Sequence, residues 1–307
     1  VFACAVDGTP FNGVVSTANL REIQKSNSPL PLRVTVKEAD LDFKAEGTIE
    51  RPFKKNSFEL QYELSGKEIQ GLDPLADFAV PLRGEFSARG RITGRGNRFT
   101  YAEDLRVGKS DLRANITIVR EPPRPKISGS ITASQIHLDD INLVDADKEA
   151  APAEDKPSRV IPDYTLPVEE LLAVDLDADF RAERIRAPLG DLGEFVMKIR
   201  LKDGRFKSST SVTGFKGARI SSEFDLNAAT QPPQSGLRIN AKDLSFGYLL
   251  SSMDLTDIME GNIDLYVDLS GAGATRYDFL GNVEGRITII GGPGRMTGRR
   301  IDLWAAD

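Results

Sequence analysis

The sequence predicts an all-β protein, mainly one elongated, curved antiparallel sheet with a few short helices, and three observations carry that expectation. The first is alternation. Ile263, Leu265, Val267 and Leu269 alternate with Asp264, Tyr266 and Asp268, a period of two that puts apolar groups on one face of a strand and polar groups on the other. The same pattern holds at Phe58, Leu60, Tyr62 and Leu64, at Leu112, Ala114, Ile116 and Ile118, and at Phe195, Met197, Ile199 and Leu201. The second is punctuation: Ser65-Gly66, the run 93–97 and Pro122-Pro123 are turn signals between such runs. The third is the scarcity of helical periodicity, which is confined to residues 72–78, 168–172 and 246–253, the last extending through 258.

In that last helix Ser245 stands as an N-cap before Phe246, Leu249, Leu250 and Met253, a helical stripe suited to capping the end of a sheet. Strands that are dry on one side only need a second wall or an apolar guest. Alternation alone fits both a closed β-sandwich and an open groove.

Composition narrows the function. The chain has 307 residues, 40% of them hydrophobic, enough for a real core. Its 40 basic and 46 acidic residues are spread along the whole length for a net charge of -6, so no basic stripe follows a nucleic-acid backbone. Aromatic residues make up only 7%, with one Trp, which disfavours stacking platforms for bases or sugars. Cys4 is the single cysteine; it excludes an internal disulfide or a thiolate metal site, and between Ala3 and Ala5 it reads as a small hydrophobe. No run approaches the roughly 18 to 20 apolar residues of a membrane span, and the opening residues 1–7 are too short for a signal peptide. The expectation is a piece of a longer protein, with any anchor outside it.

Three regions are expected: a first β region over 1–144, a charged Ala- and Pro-rich flexible linker over 145–162, and a second β region over 163–307. A repeat spans the linker. Lys67-Glu68-Ile69, a short helix, Gly84, a nine-residue strand and Gly94-Arg95-Gly96 correspond to Lys242-Asp243-Leu244, a short helix, Gly261, a strand and Gly271-Ala272-Gly273. A duplicated supersecondary unit points to an elongated architecture built by addition.

Catalytic groups are hard to find, and the expectation is that the protein is not an enzyme and takes no cofactor or metal. His137 is the only histidine; between Ile136 and Leu138 it falls on the polar side of a strand, with no nucleophile motif beside it. HExxH, CxxC and Walker A patterns do not occur. Gly291-Gly292-Pro293-Gly294 resembles a phosphate loop, but Pro293 removes a donor and no helix follows, so a tight hairpin is expected. Asp175, Asp177 and Asp179 alternate with apolar residues and lack the glycine turn of a calcium loop, which makes them the wet face of a sheet. A large dry surface without polar chemistry suits acyl chains, at about 0.8 kcal/mol per buried methylene.

The stretch DLDADFRAERIRAPLGDLGEFVMKIRLKDGRFKSSTSVTGFKGARISSEFDLNA, followed by LRINAKDLSFGYLLSSMDLTDIMEGNIDLYVDLSGAG and GNVEGRITIIGGPGRMTGRRIDL, resembles the C-terminal region of AsmA-like proteins. The order of an acidic strand ending near Ala182-Glu183, a Lys-Asp-Gly-Arg hairpin, a short helix, a glycine-flanked long strand and a closing Ile-Asp-Leu carries the resemblance from about residue 175 onward. The first half matches more loosely, through LDPLADF and Val107-Gly108-Lys109-Ser110. The resemblance implies a bacterial envelope protein of the repeating β-groove type, anchored in the inner membrane by a segment absent from this sequence and extending through the periplasm. It further implies a taco-like groove, apolar on its concave face, that conducts phospholipids between the inner and outer membranes.

On that reading the groove walls are Phe180, Phe195, Met197, Ile199, Leu201, Phe224, Ile263, Leu265, Val267, Leu269, Ile287 and Ile289. The partners are phospholipid acyl chains, membranes at the ends of the full-length protein and envelope proteins, with no nucleic acid. The alternative is a structural or assembly factor for outer-membrane proteins that pairs an exposed strand edge with client strands.

Overall fold

In the computed structural model the described residues are 2–6, 9–18, 28–38, 40–50, 57–72, 82–141, 166–187, 190–252 and 259–296. They form one open, curved sheet of seventeen strands with three short α-helices. The first half contributes β1 (Phe2–Val6), β2 (Thr9–Thr17), β3 (Leu30–Glu38), β4 (Leu41–Glu50), β5 (Ser57–Gly66), β6 (Phe86–Arg95), β7 (Arg98–Val107), β8 (Ser110–Val119), β9 (Lys126–Ala133) and the two-residue β10 (Ile136–His137). The second half begins with α1 (Val168–Ala173) and continues with β11 (Asp175–Ala187), β12 (Gly190–Lys202), β13 (Arg205–Phe215), β14 (Ala218–Asn227) and β15 (Gln234–Ser245). It ends with α2 (Phe246–Ser252), β16 (Met259–Ala272), α3 (Arg276–Gly281) and β17 (Glu284–Met296).

Each strand pairs antiparallel with the next in sequence, from β1 to β9 and again from β11 to β17. The two halves meet at one parallel seam, β9 on β11, with Lys126 opposite Asp175 and Ala133 opposite Ala182; β10 extends it past a short break, with Ile136 opposite Ile185. The predicted linker, 145–162, lies outside the described residues.

The closed sandwich does not form. Among the described residues, strands touch their ladder neighbours and helices sit at strand ends, so no second layer covers the sheet. The chain exposes 21064 Å², against about 13,000 Å² for a compact globule of this size. Val107 is the one large side chain that is fully buried among the described residues. What core exists is local. Ala133, Ile136, Ala182 and Ile185 pack at the seam, and Ile69, Phe86 and Val107 pack where a 3-10 turn, Ile69–Leu72, folds beneath β6 and β7.

Counting reversals along the ladder shows that β5 and β15 run in the same direction. The two copies of the sequence repeat therefore place their helical elements, the turn 69–72 and α2, at the same rim. Gly84, which leads into β6, and its match Gly261, near the start of β16, have φ of 103° and 153°, a region open to glycine. At the opposite rim the Leu166 N–H donates to the Ala274 carbonyl (3.0 Å), and the Arg124 guanidinium donates to the Leu172 carbonyl (3.1 Å). The segment 166–173 thus ties the end of β16 to the β8–β9 turn and gathers the strand ends between them.

Some expectations change. Residues 291–294 are not a hairpin but part of β17, where a bulge sets Gly261 opposite Gly294; within the described residues β17 pairs only with β16, and a proline is tolerated on an unpaired edge. The helix expected over 72–78 is seen only as the turn Ile69–Leu72, its remaining residues lying outside the described set. The helix expected at 246–253 is α2 and ends at Ser252 in the described residues. Sequence reading missed α3, although its signal is present: Thr275 caps it by accepting the Asp278 N–H at 3.0 Å.

Candidate functional site

The pairing register converts a list of alternating residues into a surface. Starting at Val15, directly opposed residues run Val34, Ala45, Tyr62, Gly90, Glu103, Ala114, Ile131, Phe180, Met197, Thr210, Ser222, Ile239, Val267 and Ile287. This single row crosses the eight strands β2–β9 and the seven strands β11–β17. At about 4.8 Å per strand it measures roughly 67 Å along the sheet. Parallel rows on the same face hold Ala182, Phe195, Val212, Ile220, Ala241, Leu265 and Ile289 on one side, and Ala178, Ile199, Ser208, Phe224, Leu237 and Leu269 on the other. Leu201, opposite Leu176 and Phe206, and Ile263, opposite Leu244, belong to the outer rows. All twelve side chains named from the sequence therefore share one face and one continuous band.

Most of the band is half-buried, because each apolar side chain is flanked by others rather than covered from above. Phe180 meets Phe195 edge to face at 5.7 Å between ring centres, and Phe206 lies 6.0 Å from Phe224. Toward the edge the flanking is lost, and Ile287 and Ile289 are 60% and 63% exposed.

The other face is a lattice of ion pairs. Arg200 reaches Asp177 at 2.9 Å and Asp179 at 3.2 Å, Arg238 reaches Glu223 at 3.0 Å and Asp268 at 3.7 Å, and Asp104 lies between Arg113 (2.7 Å) and Arg89 (3.5 Å). The Arg113 hydrogen bond holds the Asp104 carboxyl below the usual carboxylate range, aided by Arg89. Open depressions of about 860, 720 and 610 Å³ are lined by side chains of this charged face, Lys198, Glu223 and Arg238 among them.

His137 is half-buried rather than solvent-facing. The Ser110 hydroxyl donates to Asp140 Oδ2 (2.7 Å) and accepts the His137 backbone N–H (2.8 Å), while Asp140 Oδ2 also accepts the Lys109 N–H (2.9 Å). This Ser, His and Asp trio uses the histidine backbone and not its ring, so it is a knot closing the β7–β8 turn against the seam. Asp140→Ala would strand the buried Ser110 hydroxyl and is expected to cost about 1–3 kcal/mol, measured as a lower urea midpoint with unchanged slope.

A long sheet with one dry face, built from a duplicated hairpin unit, is the geometry to set beside known proteins. The AsmA family profile matches residues 101–300. The chain belongs to the AsmA family. The AsmA family protein YhjG of Escherichia coli (strain K12) is 21% identical over 321 residues, covering 97% of this chain and 46% of that protein. The chain thus spans about half the length of the curated relative it matches. No solved structure matches it.

Two features of this AsmA-family sheet escaped the sequence reading. The first is how aromatic rings lie over glycines opposite them. A Cβ on Gly94 would come within 2.3 Å of the Phe58 ring, and one on Gly90 within 2.8 Å of the Tyr62 ring and hydroxyl. Glycine there lets a ring lie down across the neighbouring strand. The second is Glu103. It sits in the central row, and the Tyr62 side chain, crossing Gly90, hydrogen-bonds its carboxylate. The signal was its parity with Tyr101 and Leu105.

Burial raises the Glu103 pKa above the ordinary carboxylate value, and the Tyr62 hydrogen bond only partly offsets it. Burial and the Glu103 charge likewise raise the Tyr62 phenol. An acid whose folded pKa is raised contributes stability that is complete below its unfolded pKa and is lost as pH rises through the folded one. Glu103→Gln is therefore expected to lose less stability than the parent between pH 4 and pH 8, by urea unfolding at both.

Proposed function

We propose that this chain is a lipid-binding segment of a lipid-transfer protein of the bacterial envelope, its dry face carrying phospholipid acyl chains along the sheet between the inner and outer membranes. The observation that carries the reading is the uncovered band, largely apolar with Glu103, Thr210 and Ser222 among its central residues, which crosses fifteen strands and is about 67 Å long at the usual strand spacing, on a sheet with no second layer among the described residues. An apolar surface of that extent is rarely left to water, and acyl chains fit it because they require no hydrogen bonds. Family membership supports the envelope setting; a place in the periplasm with an inner-membrane anchor outside this chain is part of the proposal. The function is binding and guidance, not catalysis, and needs no cofactor.

The test is lipid extraction from protein purified without detergent. Phospholipid at several molecules per chain by mass spectrometry supports the reading, and a lipid-free, folded preparation contradicts it.

A second reading has its own observation. β17 shows an exposed apolar side chain on each face, Ile290 being 53% exposed on the side opposite Ile287 and Ile289, and in the described residues its outer edge pairs with nothing. Such an edge suits strand addition by a client β protein. Lipid-free protein that captures outer-membrane protein strands through β17 would favour it.

A further inference from the structure

The middle of the dry face carries one charged group, while the Arg120 guanidinium lies over the Phe99 ring nearer the rim. In the central row and its two flanking rows, from β4 to β17, Glu103 is the only charged residue. Carboxylates of the opposite face lie against arginines, whereas Glu103 has no ion pair among the described residues. The titratable groups on its side of β5, β6, β7 and β8 are Tyr62 and Tyr101 alone, neither of them cationic. The site is nonetheless built. Gly90 clears the strand between, since a Cβ there would lie 2.8 Å from the Tyr62 hydroxyl and 2.7 Å from the Ala102 carbonyl, and through that gap the phenol reaches the carboxylate. Leu60, Leu64, Leu105 and Ile116 surround the pair with apolar groups in the flanking rows.

We propose that Glu103, held by Tyr62 across Gly90, is a headgroup-recognition point on the apolar band and takes the ammonium of an amine-bearing phospholipid. The inference rests on the lipid-binding reading and adds selectivity to it. Tyr62 takes one acceptor of the carboxylate, which is only half-buried on a face that no second layer covers among the described residues. A carboxylate with a donor on one side and apolar neighbours on the others lacks only a cation, and an ammonium supplies both charge and N–H donors. Arrival of that charge offsets the burial that holds the Glu103 pKa up, so the preference is full with the carboxylate ionised and fades as pH falls and it is protonated. A phosphate or free carboxylate is repelled at the same place.

The test mixes the purified chain with vesicles of equimolar phosphatidylethanolamine and phosphatidylglycerol, re-isolates the protein and quantifies both bound lipids by mass spectrometry at pH 5 and pH 8. The parent is expected to be enriched several-fold in phosphatidylethanolamine at pH 8 and less at pH 5. Glu103→Gln is expected to lose both the enrichment and its pH dependence, read as the ratio of the two lipids it binds. Tyr62→Phe should weaken the enrichment without abolishing it, and Tyr101→Phe should leave it unchanged, which guards against a loss caused by general disturbance of the face. Equal binding of the two lipids by the parent, or enrichment that survives in a folded Glu103→Gln, overturns this inference while leaving lipid binding intact. Absence of bound lipid altogether overturns both.

Discussion

Val267→Asp is expected to lower the phospholipid bound by the chain and to cut lipid movement along it at least tenfold, with the β-sheet circular dichroism signal preserved. Val267 lies in the central row between Ile239 and Ile287, so no neighbour in its row can hydrogen-bond a carboxylate placed there. Acyl chain pressed against that carboxylate would strip it of water at a cost of several kcal/mol, and 1.4 kcal/mol already corresponds to tenfold. The fold should survive because the site is half-open and water can reach the new charge whenever lipid is absent. Ser209→Asp places the same group on the charged face one strand from Lys198, and is expected to leave both lipid binding and transfer unchanged.

Gly129→Val is expected to produce the largest stability loss, about 1–3 kcal/mol or more from overpacking, concentrated at the seam. A Cβ on Gly129 would lie 2.2 Å from the Asn115 carbonyl oxygen and 2.9 Å from the Ile116 Cα. Both are backbone atoms of β8, so relief requires the β8–β9 ladder to open. In a one-layer sheet each strand is held mainly by its two neighbours, so the damage should stay local. Hydrogen exchange should accelerate in β8 and β9 while β12–β16 keep their protection. Uniform loss across the chain would mean that the sheet folds as one cooperative unit instead.

Period two is a local property, and for that reason the strands and their dry faces were legible in the sequence. Phe195, Met197, Ile199 and Leu201 need only their own alternation to declare a common side. Consecutive hairpins then pair in chain order, which brought all twelve named residues onto one band. What alternation does not encode is partnership at a distance. The parallel step from β9 to β11 could not be read, because a strand carries the same pattern whether its neighbour runs with it or against it. Nor could the lack of a second layer among the described residues, since half-buried side chains look the same in sequence whether a second sheet or a guest covers them.

Residues 291–294 misled because glycine and proline signal a turn, whereas in a strand that is paired on one side only among the described residues they fit a bulge. Glu103 was hidden differently. Its neighbour Asp104 is also acidic, and only the parity with Tyr101 and Leu105 separates the carboxylate on the dry face from the one paired with Arg113 on the other.

The central claim is that lipid travels on one face of this sheet and not the other. Photo-crosslinking amino acids placed at Met197 and Val267 on the dry face, and at Lys198 and Asp268 on the charged face, test it in the full-length protein within cells. Phospholipid adducts detected by mass spectrometry at the first two positions and absent at the second two are the predicted result. Adducts of equal yield on both faces, or protein adducts in place of lipid at Met197 and Val267, would contradict it.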